Sequence, residues 1–252
     1  MPVLMTDEDT QIIDIPGTGN FQFSAIRPEN LGATEYTLAT IVIDVTGSVR
    51  PFANSLLECL KTIITSCKKS PRSENLMVRV ITFNEDIEEV HGFKLLSSIN
   101  PDDYQTFHPA GMTALYDATY SGVGAILTYA KVLIDQDFDV NGCVYIITDG
   151  MDNRSSMQPA SIFSKIEGAL KNEEIESLVS ILIGIVDPNS YDAPEIQKYL
   201  SYFKDEANLT QYIDAGEATP GKLAKLAEFV SESISSQSQA LGSGAPSQQL
   251  TF

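Results

Sequence analysis

Ile41-Val42-Ile43-Asp44-Val45-Thr46-Gly47-Ser48 decides how this chain is read. Its opening β-branched residues favour an extended backbone, and their unbroken hydrophobicity implies a strand covered on both faces. Asp44 closes the run, and hydroxyls follow at every second position, on Thr46 and Ser48. The carboxylate therefore stands at the carboxyl end of a buried strand, the edge at which open α/β sheets bind their ligands. Pro51 suits the first turn of a helix, so the hydroxyl loop is expected to face a helix amino end.

Outward from this stretch, strand and helix patterns alternate. The strand Leu38 to Ile43 leads into a helix whose Phe52, Leu56, Leu60, Ile63 and Cys67 recur at helical spacing. Leu76 to Phe83 and Glu89 to Leu96 read as strands joined through Asn84-Glu85-Asp86, a connection so short that the pair must be antiparallel. The polar loop Ser97 to Gly111 precedes a helix carrying Leu115, Ala118, Gly122, Ala125, Tyr129 and Leu133. Gly122 and Gly124 weaken that helix and imply a close approach to the sheet. Cys143 to Thr148 is a buried strand, followed by a helix around Ile162 and Ile166 and the strand Leu178 to Val186. A helix with Ile196, Leu200 and Phe203, the short strand Gln211 to Ile213 and a helix opening at Thr219-Pro220 complete the pattern. The expected architecture is an α/β fold: an open, mostly parallel sheet with one antiparallel edge strand and helices on both faces.

This α/β domain is expected over residues 38–234. Residues 1–37 hold two short strand patterns, Ile12 to Ile15 and Phe21 to Ile26, around the turn-rich Pro16-Gly17-Thr18-Gly19-Asn20. They suit either a hairpin packed on the domain or an arm for a neighbouring subunit. Residues 235–252 are rich in Ser, Gln and Gly without a charged side chain, which predicts a flexible tail.

Composition narrows the function. The 252 residues, 43% hydrophobic, suit one large domain with extensions. No run of ~18 apolar residues predicts a membrane span, and Met1 to Thr10 is acidic where a secretion signal is basic and apolar, so a cytoplasmic protein is expected. Cys59, Cys67 and Cys143 lie in apolar patterns and read as buried free thiols. A formal net charge of -18 argues against a nucleic-acid groove or an acidic-lipid surface, both of which need clustered Lys and Arg. It also repels acidic partners unless a bound cation locally reverses the sign.

Oxygen ligands cluster on three loops at the carboxyl edge: Asp44 to Ser48, Gly111-Met112-Thr113, and Thr148 to Asn153. A carboxylate and hydroxyl set without His or Cys suits a hard cation such as Mg²⁺. At these residues the chain resembles the von Willebrand factor A domain. Asp44-Val45-Thr46-Gly47-Ser48, Thr113 and Asp149 match its metal-ion-dependent adhesion site, D-x-S-x-S completed by a Thr and an Asp from later loops, with Thr46 standing where Ser is commoner. The surroundings Gly111 to Ala118 and Ile146 to Gly150 are similar to the family's as well. The resemblance implies that Thr46, Ser48 and sometimes Thr113 touch Mg²⁺ or Mn²⁺, that Asp44 and Asp149 act directly or through water, and that a partner's carboxylate takes the open position.

Plainer roles exist for each residue alone. Asp44 and Ser48 are common turn and capping residues at strand-to-helix junctions, and a Thr such as Thr113 before a helix is most often a cap. Asp117 reads as a first-turn residue favoured by the helix dipole, Asp152 and Asn153 as loop-shaping, and His91 and His108 as surface or loop residues. The conjunction of three loops at one edge favours the metal. Enzyme patterns are missing: Thr46 replaces the second carboxylate of a D-x-D phosphatase, no G-x-x-x-x-G-K-[ST] occurs, and no nucleophile elbow or Cys-His-acid set is found. The expectation is a non-enzymatic, metal-dependent protein-binding adaptor that captures an exposed Asp or Glu. By resemblance to bacterial members of the family, it works beside an AAA+ ATPase. The alternatives are a self-assembling structural protein whose arm and tail join copies into a homo-oligomer, with the metal site filled by a neighbour or vestigial, and a metal-dependent hydrolase.

Overall fold

The computed structural model describes residues 9–17, 19–172, 174–247 and 249–252; Met1 to Glu8 of the extension, Thr18 of the expected turn, Glu173 and Gln248 of the expected tail lie outside them. Among the described residues, eight strands form one sheet: β1 (Thr10–Asp14), β2 (Gln22–Ile26), β3 (Glu35–Asp44), β4 (Leu76–Phe83), β5 (Ile87–Leu95), β6 (Asp139–Thr148), β7 (Leu178–Gly184) and β8 (Gln211–Asp214). The helices are α1 (Ala53–Cys67), α2 (Leu115–Ile134), α3 (Pro159–Lys171), α4 (Ala193–Glu206) and α5 (Pro220–Ser243). The sheet order is β1-β2-β5-β4-β3-β6-β7-β8. Five strands, β4, β3, β6, β7 and β8, run parallel, and β5 runs against β4. This is the von Willebrand A-like, Rossmann-type arrangement.

The unbroken hydrophobicity of β3 has the expected cause. Leu38 and Val42 join one core with residues of α2, α3 and α4, while Ala39, Ile41 and Ile43 join a second with α1 and α5. Alternate side chains of a strand point to opposite faces, so both faces of this strand must be apolar. Gly122 allows α2 to press on the sheet, because a Cβ there would meet Val42 Cγ2 at 3.0 Å and Val144 Cγ2 at 3.2 Å. Gly124 makes room for Ile15 instead, just past β1.

The antiparallel strand β5 is not the edge of the sheet. Beyond it, β2 joins in parallel through Ala25 and Phe93, and β1 pairs with β2 as a hairpin. A buried ion pair anchors this addition. Arg79 Nε donates to Glu89 Oε2 at 2.7 Å, and the Ser24 amide and hydroxyl donate to Glu89 Oε1 at 2.9 and 2.6 Å. The two charged side chains are 1% and 3% exposed, so each depends on these partners to offset its desolvation. His91, expected on the surface or in a loop, lies within β5, where its ring stacks on Tyr104.

Several boundaries move. The central strand begins at Glu35 rather than Leu38, and helix α5 continues to Ser243 where a flexible tail was expected from Ser235. Two residues of that stretch, Gln237 and Ser238, meet the buried Asn141 and the half-buried Arg72. Asn141 Nδ2 donates to Gln237 O at 2.9 Å, Arg72 Nε to Ser238 Oγ at 3.2 Å, and Leu241 adds apolar burial. Gly244, in the left-handed region at φ 64°, then ends the helix. Beyond it Leu250 packs on the α1/α5 core and Phe252 lies edge-on to Phe229.

Candidate functional site

Asp44 is the last residue of β3 and is 1% exposed. Its Oδ1 accepts the Thr46 amide at 2.8 Å, the Asx-type bond that turns the chain, and its Oδ2 accepts the Thr148 hydroxyl at 2.7 Å. The turn role is therefore real for Asp44. It does not account for Ser48 or Thr113. Ser48 lies in a short 3₁₀ segment, Gly47–Phe52, whose cap position makes no side-chain bond. Ala114, not Thr113, is the cap position of α2. Pro51 sits inside the 3₁₀ segment and α1 starts only at Ala53, so the loop faces this tighter turn and not an α-helix end.

Ser48 and Thr46 turn their hydroxyls toward each other, 3.0 Å apart, and Ser48 Oγ donates to Asp149 Oδ1 at 3.0 Å. Four of the five expected residues thus form one continuous set, with Asp44 beneath and the exposed Ser48 and partly buried Asp149 above. Thr113 is brought in through its backbone. Its amide donates to Asn153 Oδ1 at 2.8 Å, and the Asn153 amide donates to Thr113 O at 3.0 Å, a reciprocal tie between second and third loops. No hydrogen bond among the described residues engages the Thr113 hydroxyl. Ala110 N donates to Val45 O at 3.0 Å and ties the second loop to the first.

The electrostatics favour a cation. Burial pushes the Asp44 carboxyl above its usual value, against the pull of the Thr148 and Thr46 hydrogen bonds. Asp149 is pushed up to about 6, by burial first and by the Asp44 charge second, with the Ser48 hydrogen bond opposing. Two carboxylates repel across this pocket, and among the described residues neither takes part in an ion pair. The described residues hold no group of three or more His, Cys, Asp or Glu that could bind a metal. The donor set here is different: two carboxylates and two clustered hydroxyls, hard oxygens that fit Mg²⁺ or Mn²⁺ and not a thiophilic metal.

Sequence reasoning missed the part of Thr148, which lies beside Asp44 only because β3 and β6 are in register with Ile43 opposite Ile147. It also understated Asp117. This first-turn residue accepts the Ser156 amide at 3.1 Å and the Met157 amide at 2.7 Å, fastening the third loop to α2. Asp152 and Asn153 shape the loop as expected: Asp152 accepts from Tyr116 N at 3.1 Å and Ser155 N at 3.2 Å.

Many solved structures share this fold at low sequence identity. The PilB minor pilin of Streptococcus sanguinis superposes with a TM-score of 0.58 at 14% identity, over 92% of this chain and 68% of that one. Its D319A mutant superposes with a TM-score of 0.59 at 12% identity, over 88% and 66%. The pilus adhesin SpaC of Lactobacillus rhamnosus GG gives 0.54 at 12% identity, over 93% of this chain and 35% of that chain. Proximal thread matrix protein 1 of the mussel byssus gives 0.50 at 17% identity, over 80% and 47%. The chain thus spans about two thirds of the minor pilin and about a third of the adhesin. No protein-family model and no curated protein matches the sequence. The likeness shows the fold alone, an open, mostly parallel α/β sheet covered by helices.

Proposed function

We propose that this protein is a binding module that holds a divalent cation, Mg²⁺ or Mn²⁺, at Thr46, Ser48, Asp149 and Thr113, with Asp44 bracing them, and captures an acidic residue of a partner protein there. One observation carries the reading: the hydrogen-bonded run from Thr46 through Ser48 to Asp149 at the carboxyl edge of the sheet, built over a buried carboxylate. When bound, the cation supplies positive charge and a coordination vacancy for a carboxylate, in a chain whose net charge of -18 otherwise repels acids. The residues do the rest. Asp44 fixes the turn through Thr46 N, Ser48 and Asp149 present oxygens toward solvent, and Asn153 sets the height of Thr113. We read the protein as non-enzymatic and cytoplasmic, in keeping with its three buried free thiols, and as an adaptor beside an AAA+ ATPase.

The test is affinity capture from native lysate in Mg²⁺ and in chelator. A partner retained only with Mg²⁺, and lost with Asp44→Ala, supports the reading; a partner indifferent to both refutes it. A structural role is the second reading. It draws on fold neighbours described as a minor pilin, a pilus adhesin and a thread matrix protein.

A further inference from the structure

We infer that Thr148 is a positioning residue of the cation site, acting through Asp44; this rests on the proposed binding function. β3 and β6 lie side by side with Ile43 opposite Ile147, which places Asp44 and Thr148 as neighbours at the strand ends. Strand alternation puts both on the α2 face, because Val42, Val144 and Ile146 belong to the core on that side. Thr148 is 1% exposed, so its hydroxyl does not serve solvent. The Gly150 amide, which can only donate, donates to Thr148 Oγ1 at 3.2 Å. That leaves the single hydroxyl hydrogen for Asp44 Oδ2, 2.7 Å away, a far shorter contact than the 3.4 Å to Gly150 O.

One hydroxyl therefore does two things. It holds the Asp44 carboxylate in the plane set by Thr46 N on its other oxygen, and it holds the Gly150 amide that follows Asp149. The depth of Asp44 and the direction of Asp149 are coupled through a side chain that does not itself reach the Ser48 hydroxyl. Outer groups of this kind typically change metal affinity 10–100-fold when removed.

The experiment compares Mn²⁺ binding, by calorimetry and by electron paramagnetic resonance of the bound ion, in wild type, Thr148→Val and Thr148→Ser. Each protein's melting temperature is also measured in chelator. The expected result is a loss of about 10-fold or more for the valine variant and restoration to within about 3-fold by serine. Thr148→Ala, which leaves space for a water, replaces the valine variant if that one does not fold. Wild type that binds Mn²⁺ with a folded valine or alanine variant that binds equally overturns the role of Thr148 and leaves the binding reading intact. Wild type that binds no Mn²⁺ overturns both. Serine failing to restore affinity while melting like wild type also overturns the role.

Discussion

Asp149 and His91 titrate in overlapping pH ranges with opposite sign. The Asp149 carboxyl rises from 3.8 to about 6 on folding, so the folded state binds this proton more tightly than the unfolded one. In metal-free protein, stability therefore falls as pH rises from about 4 to about 6 and stays lower above that. The full shift corresponds to at most ~3 kcal/mol, and partial exposure reduces it to about 1–2 kcal/mol. Asp149→Asn should melt about 2–6 °C higher than wild type at pH 8 in chelator and equally near pH 4, by calorimetric scanning. The same variant should show no melting shift with Mg²⁺. A lower melting temperature at pH 8 would mean that folding does not raise the Asp149 carboxyl.

His91 works the other way. Its Nε2 meets the Tyr104 hydroxyl at 2.8 Å and its Nδ1 meets Gly92 O at 2.9 Å, a carbonyl that can only accept. Nδ1 thus carries the proton, and Nε2 accepts from Tyr104 in the neutral ring. Burial is the main cause of a fall from 6.5 to about 4. Its contribution is complete above about pH 6.5 and is lost as pH falls toward 4, about 2 kcal/mol by pH 5. Urea midpoints at pH 7.5 and 5 should separate more in wild type than in His91→Gln; equal separation would place the ring elsewhere.

At the scale of elements, α5 and the hairpin carry the argument. Truncation after Ser235 would leave Asn141 and Arg72 without their partners Gln237 and Ser238 and would strip Leu241 from the core. The expected cost is on the order of 4 kcal/mol. Among the described residues, truncation after Gly244 removes the contacts of Leu250, Phe252 and Ser247 and the bond from the Ala245 amide to Ala240 O, about 1 kcal/mol. Urea denaturation of the two truncated chains checks the ordering, and equal midpoints would restore the flexible tail. The hairpin answers to the same logic, because Ser24 completes the hydrogen bonding of Glu89 beside Arg79. Gly92 lies against the Ser24 backbone so closely that a Cβ would displace it. This juxtaposition was written at Ser24, Arg79 and Glu89, but nothing in their spacing said that they meet.

At the scale of the whole molecule, the described residues of the arm and tail that suggested assembly are engaged within their own fold. Light scattering of the full chain should give a mass near 27.5 kDa with Mg²⁺ and with chelator. A multiple of that mass that falls apart in chelator would favour the structural reading, with a neighbour's carboxylate in the site. The high negative charge works toward the monomer, since like-charged copies repel.

The local pattern alone determined the alternation of strands and helices, the antiparallel turn at Asn84 to Asp86, and the four side chains Asp44, Thr46, Ser48 and Asp149 at one sheet edge. Periodicity and strand-end chemistry are short-range properties, and a parallel sheet turns chain order into a shared edge. Tertiary structure decided what depends on register and on partners far along the chain. It put Thr148 beside Asp44, joined the hairpin to β5, set Thr113 through Asn153, and made Gln237 and Ser238 helical. A polar residue is indifferent to its fate until a buried donor or acceptor stands opposite it, and the strand pairing, not the residue's neighbours in sequence, supplies that group.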